Sequence, residues 1–232
     1  NGGRPVLLIH GGGQTRHSWA GTARALAARG WQAIAYDQRG HGQSGRSPSA
    51  DYEPVRFAQD LAEIAAQLDA APVVVGASLG GIAAMVAEGE LAPGSLAALV
   101  LVDITPRMER AGVDRIVGFM LDRAEAGFES LDEAADAVAA YQPHRRRPEN
   151  HDGLRKNLRL DDDGRWRWHW DPALFTSPTG LGAVPGSTSR VPACMIVGDP
   201  AALEKLAAKS VTMTAHHCSE RIIGLTAPGS GS

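Results

Sequence analysis

Cysteine is nearly absent: 232 residues carry only Cys194 and Cys218, the first inside an apolar run and the second in a polar tail. Two thiols so placed make no disulfide framework, and a reducing cytoplasm is the expected compartment. Long hydrophobic runs are missing as well. No stretch approaches the ~20 apolar residues that a bilayer span needs, and no charged-then-apolar leader is visible, so no membrane partner is expected. An excess of one charge is also lacking. A formal net charge of -3 creates no field that would gather nucleic acid or an anionic surface, which leaves a small molecule as the expected partner.

What is present suits one α/β core. Apolar residues make up 44% of the chain, enough to fill a domain of about 200 to 250 residues. Strands are expected at Val6 to Ile9, Trp31 to Tyr36, Val73 to Val75, Leu99 to Val102 and Ala193 to Val197. Most are continuously apolar, as strands of a parallel sheet covered on both faces must be. Between them lie helical stripes. Trp19 to Arg29 stops at Gly30, and Val55 to Leu68 repeats Phe57, Leu61, Ile64 and Leu68 at three- and four-residue spacing. Strand and helix alternate in the manner of a right-handed α/β sheet, whose ligands collect at the carboxyl ends of its strands.

From Pro106 to about Arg190 the pattern changes to helical segments, Ile116 to Glu125 and Leu131 to Tyr141, followed by a polar stretch rich in Arg and Trp. This reads as a helical cap inserted over the strand edge, where it shapes a pocket and excludes water. The expected division is a first core part at 1–105, a cap at 106–190, a second core part at 191–217 and an irregular tail at 218–232.

One turn carries most of the chemical information. Val73, Val74 and Val75 lead into Gly76, Ala77, Ser78, Leu79, Gly80 and Gly81, and then Ile82 to Ala87 continue as a buried helix. A strand bent this sharply into a helix holds the Ser78 hydroxyl out at the turn. Gly76 and Gly80 fit because neighbouring segments come too close for a Cβ, and Ser78 itself is expected in a strained conformation. An activated nucleophile is one reading; a plain glycine-rich turn is the other.

Four ordered motifs resemble the α/β-hydrolase superfamily. They are His10 to Gln14 with His17, Ser18 and Trp19; Asp37 to Gly45; the Ser78 turn; and Leu101, Val102, Asp103. The branch they resemble is the cofactor-free haloperoxidase and epoxide-hydrolase-like group, often labelled peroxidase, whose cap is similar to Gly153 to Arg159 and Trp168 to Pro172. The resemblance implies a mostly parallel hydrolase sheet flanked by helices, and a serine hydrolase acting on esters or similar acyl compounds through an acyl-enzyme. No metal or other cofactor is implied. A serine at the turn argues against the epoxide hydrolases and haloalkane dehalogenases proper, which place an aspartate there.

The resemblance also assigns roles. Leu79 and Gly12 would supply the backbone amides that hold the oxyanion, with Gly13 letting the loop approach closely. A proline is expected beside the oxyanion residue of perhydrolases, and Gly13 stands here instead, so peracid chemistry is the lesser use. The base would be His217, with His216 the alternative; the acid would be Asp199, with Asp103 the alternative. Ala202 occupies the position where the family's acid falls. Asp103 also has a structural reading, as a residue that ties loops together. Should acid and base be missing, the chain becomes an inactivated hydrolase-fold protein that binds small molecules.

The termini depart from the family pattern. The chain begins after two strands that relatives have, and the tail from Glu204 lacks their last strand and helix, so edge elements are expected to be missing at both ends. Gly229 to Ser232 resembles a linker. A bare sheet edge favours pairing, and a homodimer is the corresponding expectation. Several other groups have plain readings. His216, His217 and Cys218 lack the further ligands that zinc needs. Asp161 to Gly164 reads as a hairpin turn rather than a calcium loop. Arg145 to Arg147 reads as a solvated loop. Trp166, Trp168 and Trp170 alternate onto one side of an extended segment, as packing or as contacts to substrate.

Overall fold

The structure, a computed structural model, describes residues 3–104, 110–141, 143, 150–177 and 194–195. Five strands form one parallel sheet: β1 (Pro5–Ile9), β2 (Gln32–Tyr36), β3 (Val73–Ala77), β4 (Ala98–Val102) and the short β7 (Cys194–Met195). Their order is β2-β1-β3-β4-β7. The continuous apolar runs are explained by alternation. Leu7, Ile9, Val74, Leu99 and Leu101 enter one buried layer, whereas Val6, Leu8, Val73, Val75 and Val100 enter another with Leu26. Both faces of the sheet are therefore covered, as the sequence pattern required.

Helix α1 (Ala20–Ala27) sends Leu26 to the second layer, and helices α2 (Pro54–Ala66) and α3 (Leu79–Val86) cover the first. Pro54 opens α2, where a missing N–H costs nothing. The expected stripe holds: Leu61 joins the first layer and Phe57 turns to a third apolar cluster, each about fully buried and worth roughly 1.5–3 kcal/mol of burial.

Two helix boundaries need correction. The segment expected as one helix from Trp19 to Arg29 opens with a 3₁₀ turn, Arg16–Trp19, before α1 begins at Ala20. Helix α4 runs Arg110–Asp122 instead of Ile116 to Glu125, because its first residues carry no apolar repeat to announce it. Helix α5 (Leu131–Tyr141) lies where expected. Gly30 ends the α1 segment at φ 84°, in the left-handed region that glycine enters without strain.

The short helix α6 (Asp152–Arg155) precedes an antiparallel hairpin of β5 (Leu158–Leu160) and β6 (Trp166–Trp168), and α7 (Ala173–Thr176) follows it. Asp161 to Gly164 form the hairpin turn, with the Gly164 amide donating to the Asp161 carbonyl at 2.9 Å. The third cluster joins this segment to the serine turn. It contains Leu79 and Ala83 of α3 together with Met120, Phe128, Leu158, Trp168, Trp170 and Leu174. Arg145 to Arg147 lie outside the described residues.

Candidate active site

Register places three connections side by side at the carboxyl edge. Ile9 pairs with Gly76 and Ala77 with Val102, so the loop after β1, the Ser78 turn and the residue after β4 are neighbours. Ser78 has φ 45° and ψ -113°, a conformation that a residue with a Cβ adopts at a cost of about 1–3 kcal/mol. Crowding enforces it. A Cβ on Gly76 would meet the Gly80 carbonyl oxygen at 2.5 Å, and one on Gly80 would meet the Ile9 carbonyl oxygen at 2.6 Å.

Ser78 stands at the N-cap of α3, yet its side chain makes no capping bond. A serine there ordinarily spends its hydroxyl on the first-turn amides. Here the hydroxyl has no hydrogen-bond partner among the described residues. The first helical bond runs from the Ile82 amide to the Ser78 carbonyl at 3.0 Å, so the Leu79 amide lies ahead of the ladder, at the positive end of the helix.

The facing loop is held by its own polar network. The Gly11 amide donates to Gln14 Oε1 at 3.1 Å, and the Gly13 amide donates to His41 Nε2 at 3.1 Å. Gly12 lies between these committed donors, and its amide has no acceptor among the described residues. The loop touches the turn: a Cβ on Gly11 would lie 3.3 Å from Ser78 Cβ. Gly13 has φ 78°, and a Cβ there would fall 2.0 Å from the Met120 terminal carbon.

Two buried histidines fix that network, and their roles were not legible in the sequence. His10 Nε2 accepts from the Gln38 amide at 3.0 Å, which puts the ring proton on Nδ1, 2.8 Å from the Gly11 carbonyl oxygen. His41 Nε2 accepts from Gly13, and its Nδ1 donates to the Arg39 carbonyl at 3.0 Å. The rings meet edge-on at 5.0 Å. Burial holds both neutral: it lowers the His10 pKa, and burial with the neighbouring His10 ring takes His41 down to about 3. Both ring nitrogens of each are occupied, so neither imidazole is free to take a proton from Ser78.

Asp37 anchors the same region. Its carboxylate accepts from the Arg16 amide at 2.7 Å and the Gln43 amide at 3.1 Å and pairs with the Arg16 guanidinium. Burial would raise its pKa, but those amides and the Arg16 charge together bring it below the ordinary value.

Asp103 sits beside the turn with φ 53° and is exposed. Its side chain has no partner among the described residues, and residues 105–109, which follow it closely, lie outside them. Asp199, Ala202, His216 and His217 lie outside the described residues. Among the described residues no group of three or more His, Cys, Asp or Glu side chains converges as a metal site, and no helix is long and apolar enough to cross a membrane. A cleft of about 510 Å³ lies elsewhere, beside β2, and is lined by Tyr36, Arg39, Arg46, Asp60 and Ile64 among others, none of them part of the serine turn.

A parallel α/β sheet with a strained serine at its central strand-to-helix turn and a glycine loop facing it defines the α/β-hydrolase class. The alpha/beta hydrolase fold family matches residues 4–205, and the chain belongs to that family. Esterase Rv0045c of Mycobacterium tuberculosis is 33% identical over 171 residues, covering 72% of this chain and 56% of the esterase. A non-heme chloroperoxidase of Streptomyces lividans is 36% identical over 107 residues, covering 45% of this chain and 38% of that enzyme. The crystal structure of an alpha/beta hydrolase from Novosphingobium aromaticivorans superposes with a TM-score of 0.69 at 27% identity, covering 79% of this chain and 66% of that one. The chain thus spans little more than half the length of the esterase, and less of the chloroperoxidase.

Proposed function

We propose that this chain is the catalytic part of a serine hydrolase that cleaves esters or similar acyl compounds. Ser78 Oγ attacks the acyl carbon while His217 takes its proton, with Asp199 orienting the imidazole. The carbonyl oxygen, now an anion, accepts from the Gly12 and Leu79 amides. Collapse expels the alcohol, which receives the proton from His217. Water then adds to the acyl-enzyme with His217 again as base, releasing the carboxylic acid and restoring the hydroxyl.

The observation that carries this reading is the conjunction at residue 78: a hydroxyl unused as a cap, on strained backbone, against the glycine loop that approaches it at Gly11. The similarity to an esterase supports the acyl substrate class. His216 is the alternative base and Asp103 the alternative acid. Asp103 owes that place to its position after β4, next to the turn.

A fluorophosphonate probe tests the proposal. Labelling of the folded protein that disappears in Ser78→Ala is the expected result. Absence of labelling in a folded sample rejects the hydrolase reading in favour of an inactive binding protein. Separate His216→Ala and His217→Ala variants, followed on p-nitrophenyl esters, then identify the base; loss of turnover is expected for His217.

A further inference from the structure

Above the glycine loop one buried donor is unused. Trp170 is 2% exposed, and its Nε1 has no hydrogen-bond partner among the described residues. Indole N–H groups in protein interiors ordinarily find an acceptor, because a buried donor left unpaired has lost its water without replacement. Trp168 Nε1 shares this condition, but Trp168 packs edge-on against Phe119 and Phe128 within the overlying segment. Trp170 differs in where it points.

Its backbone is stitched to the loop that carries His41. The Gly42 amide donates to the His169 carbonyl, and the Asp171 amide to the Gly40 carbonyl, both at 2.7 Å. The ring is steadied edge-to-face by Phe175 at 5.1 Å. A Cβ on Gly13 would lie 3.7 Å from Trp170 Nε1 and 2.0 Å from the Met120 terminal carbon. The indole N–H, the Met120 methyl and the bare Cα of Gly13 therefore meet next to Gly12 in the loop. Met120 is the movable member, an unbranched thioether that adopts other rotamers readily.

Building on the hydrolase reading, we propose that Trp170 Nε1–H is a specificity-determining donor to substrate. The ester carries an ether, keto or similar oxygen close to its scissile carbonyl, and that oxygen takes the place held by the Met120 methyl. An ester without such an oxygen leaves the indole as unpaired as it is now, so the site discriminates by a hydrogen bond made or lost.

Two matched pairs test this, each replacing one methylene by oxygen: p-nitrophenyl butyrate against p-nitrophenyl methoxyacetate, and butyl acetate against 2-methoxyethyl acetate. The measured quantity is the oxygenated-to-plain ratio of kcat/KM, divided by the same ratio in Trp170→Phe. Intrinsic ester reactivity and any partial unfolding cancel in that quotient. A quotient of about ten in one pair is expected, the size of one lost hydrogen bond to a buried donor; a quotient near one in both pairs overturns the proposal.

A second readout does not depend on turnover. In Ser78→Ala, the indole ¹H–¹⁵N resonance identified by its loss in Trp170→Phe should move downfield on titration with methyl methoxyacetate or 2-methoxyethyl acetate. It should not move with the plain esters. That shift without any turnover in the parent protein would reject the hydrolase reading and keep the donor. Turnover with neither the shift nor the quotient would do the reverse.

Discussion

At the scale of single residues the site is built from backbone that most side chains avoid. Ser78 holds φ 45° and ψ -113° because Gly76 and Gly80 let β3, β1 and α3 approach closely. Those dihedrals mirror an extended conformation that glycine enters freely. Ser78→Gly should therefore be more stable than Ser78→Ala by about 1–3 kcal/mol, the reverse of the usual order at an unstrained site. Urea melts of the two variants check it, and alanine being equal or better would mean that the turn is relaxed. Gly42 shows the complementary case. It has φ 54°, and a Cβ would fall 2.3 Å from the Asp37 carboxylate. Gly42→Ala should cost at least about 2 kcal/mol, because strain and clash act together. Its denaturation midpoint gives the answer, and loss of under 0.5 kcal/mol, the range of an ordinary surface change, would contradict it.

At the scale of elements, the chain after β6 is tied down by a tyrosine as well as by its backbone bonds to Gly40 and Gly42. Tyr52 is fully buried; its hydroxyl donates to Asp171 Oδ2 at 2.7 Å and accepts from the Ser47 amide at 2.9 Å. Burial and the Asp171 carboxylate push its pKa up to about 12, so the hydroxyl keeps its proton at any ordinary pH. Tyr52→Phe preserves the ring and strands both partners, and should cost about 1–3 kcal/mol in urea denaturation. Asp171→Asn, which still offers an oxygen, should cost less. No loss in Tyr52→Phe would show that the ring's packing, not the hydroxyl, is the tie.

The elements themselves were the most legible part of the sequence. Continuous apolar runs announced the strands, since a residue on either side of a doubly covered sheet must be apolar. The Ser78 turn was legible because its glycines stand at fixed offsets from a strand. Gly12 was reached by resemblance, and only the commitment of the Gly11 and Gly13 amides singles it out physically. His41 was visible inside the Asp37 to Gly45 motif, but nothing linear says that its Nε2 receives the Gly13 amide from 28 residues away. Trp170 showed the same limit: alternation gave its side of the segment and not the loop beneath it. Asp103, with packing or catalysis both open in the sequence, proves to be exposed.

At the scale of the whole molecule, the same histidines make the fold sensitive to mild acid. His10 and His41 are buried neutral, each with a ring nitrogen serving as acceptor for a backbone amide. Burial, followed by the Arg159 charge, lowers His169 too. In the unfolded chain a histidine titrates near 6.5. Below that value the unfolded state binds protons that the folded state refuses, so stability is complete above about pH 6.5 and falls as the pH drops toward the folded value, about 3 for His41. Each such group contributes a slope of up to about 1.4 kcal/mol per pH unit. Asp37 acts with the same sign but only near and below the ordinary carboxylate range, because its folded pKa is lowered. The interval from pH 6.5 to 5 therefore isolates the histidines. Urea midpoints should decline steadily across it, and His41→Gln, which keeps an oxygen for the Gly13 amide and cannot titrate, should decline less steeply while starting lower. A flat profile in the parent protein, or equal slopes in the two, would mean that His41 is reached by protons without unfolding, and the glycine loop would then not be anchored through a neutral ring.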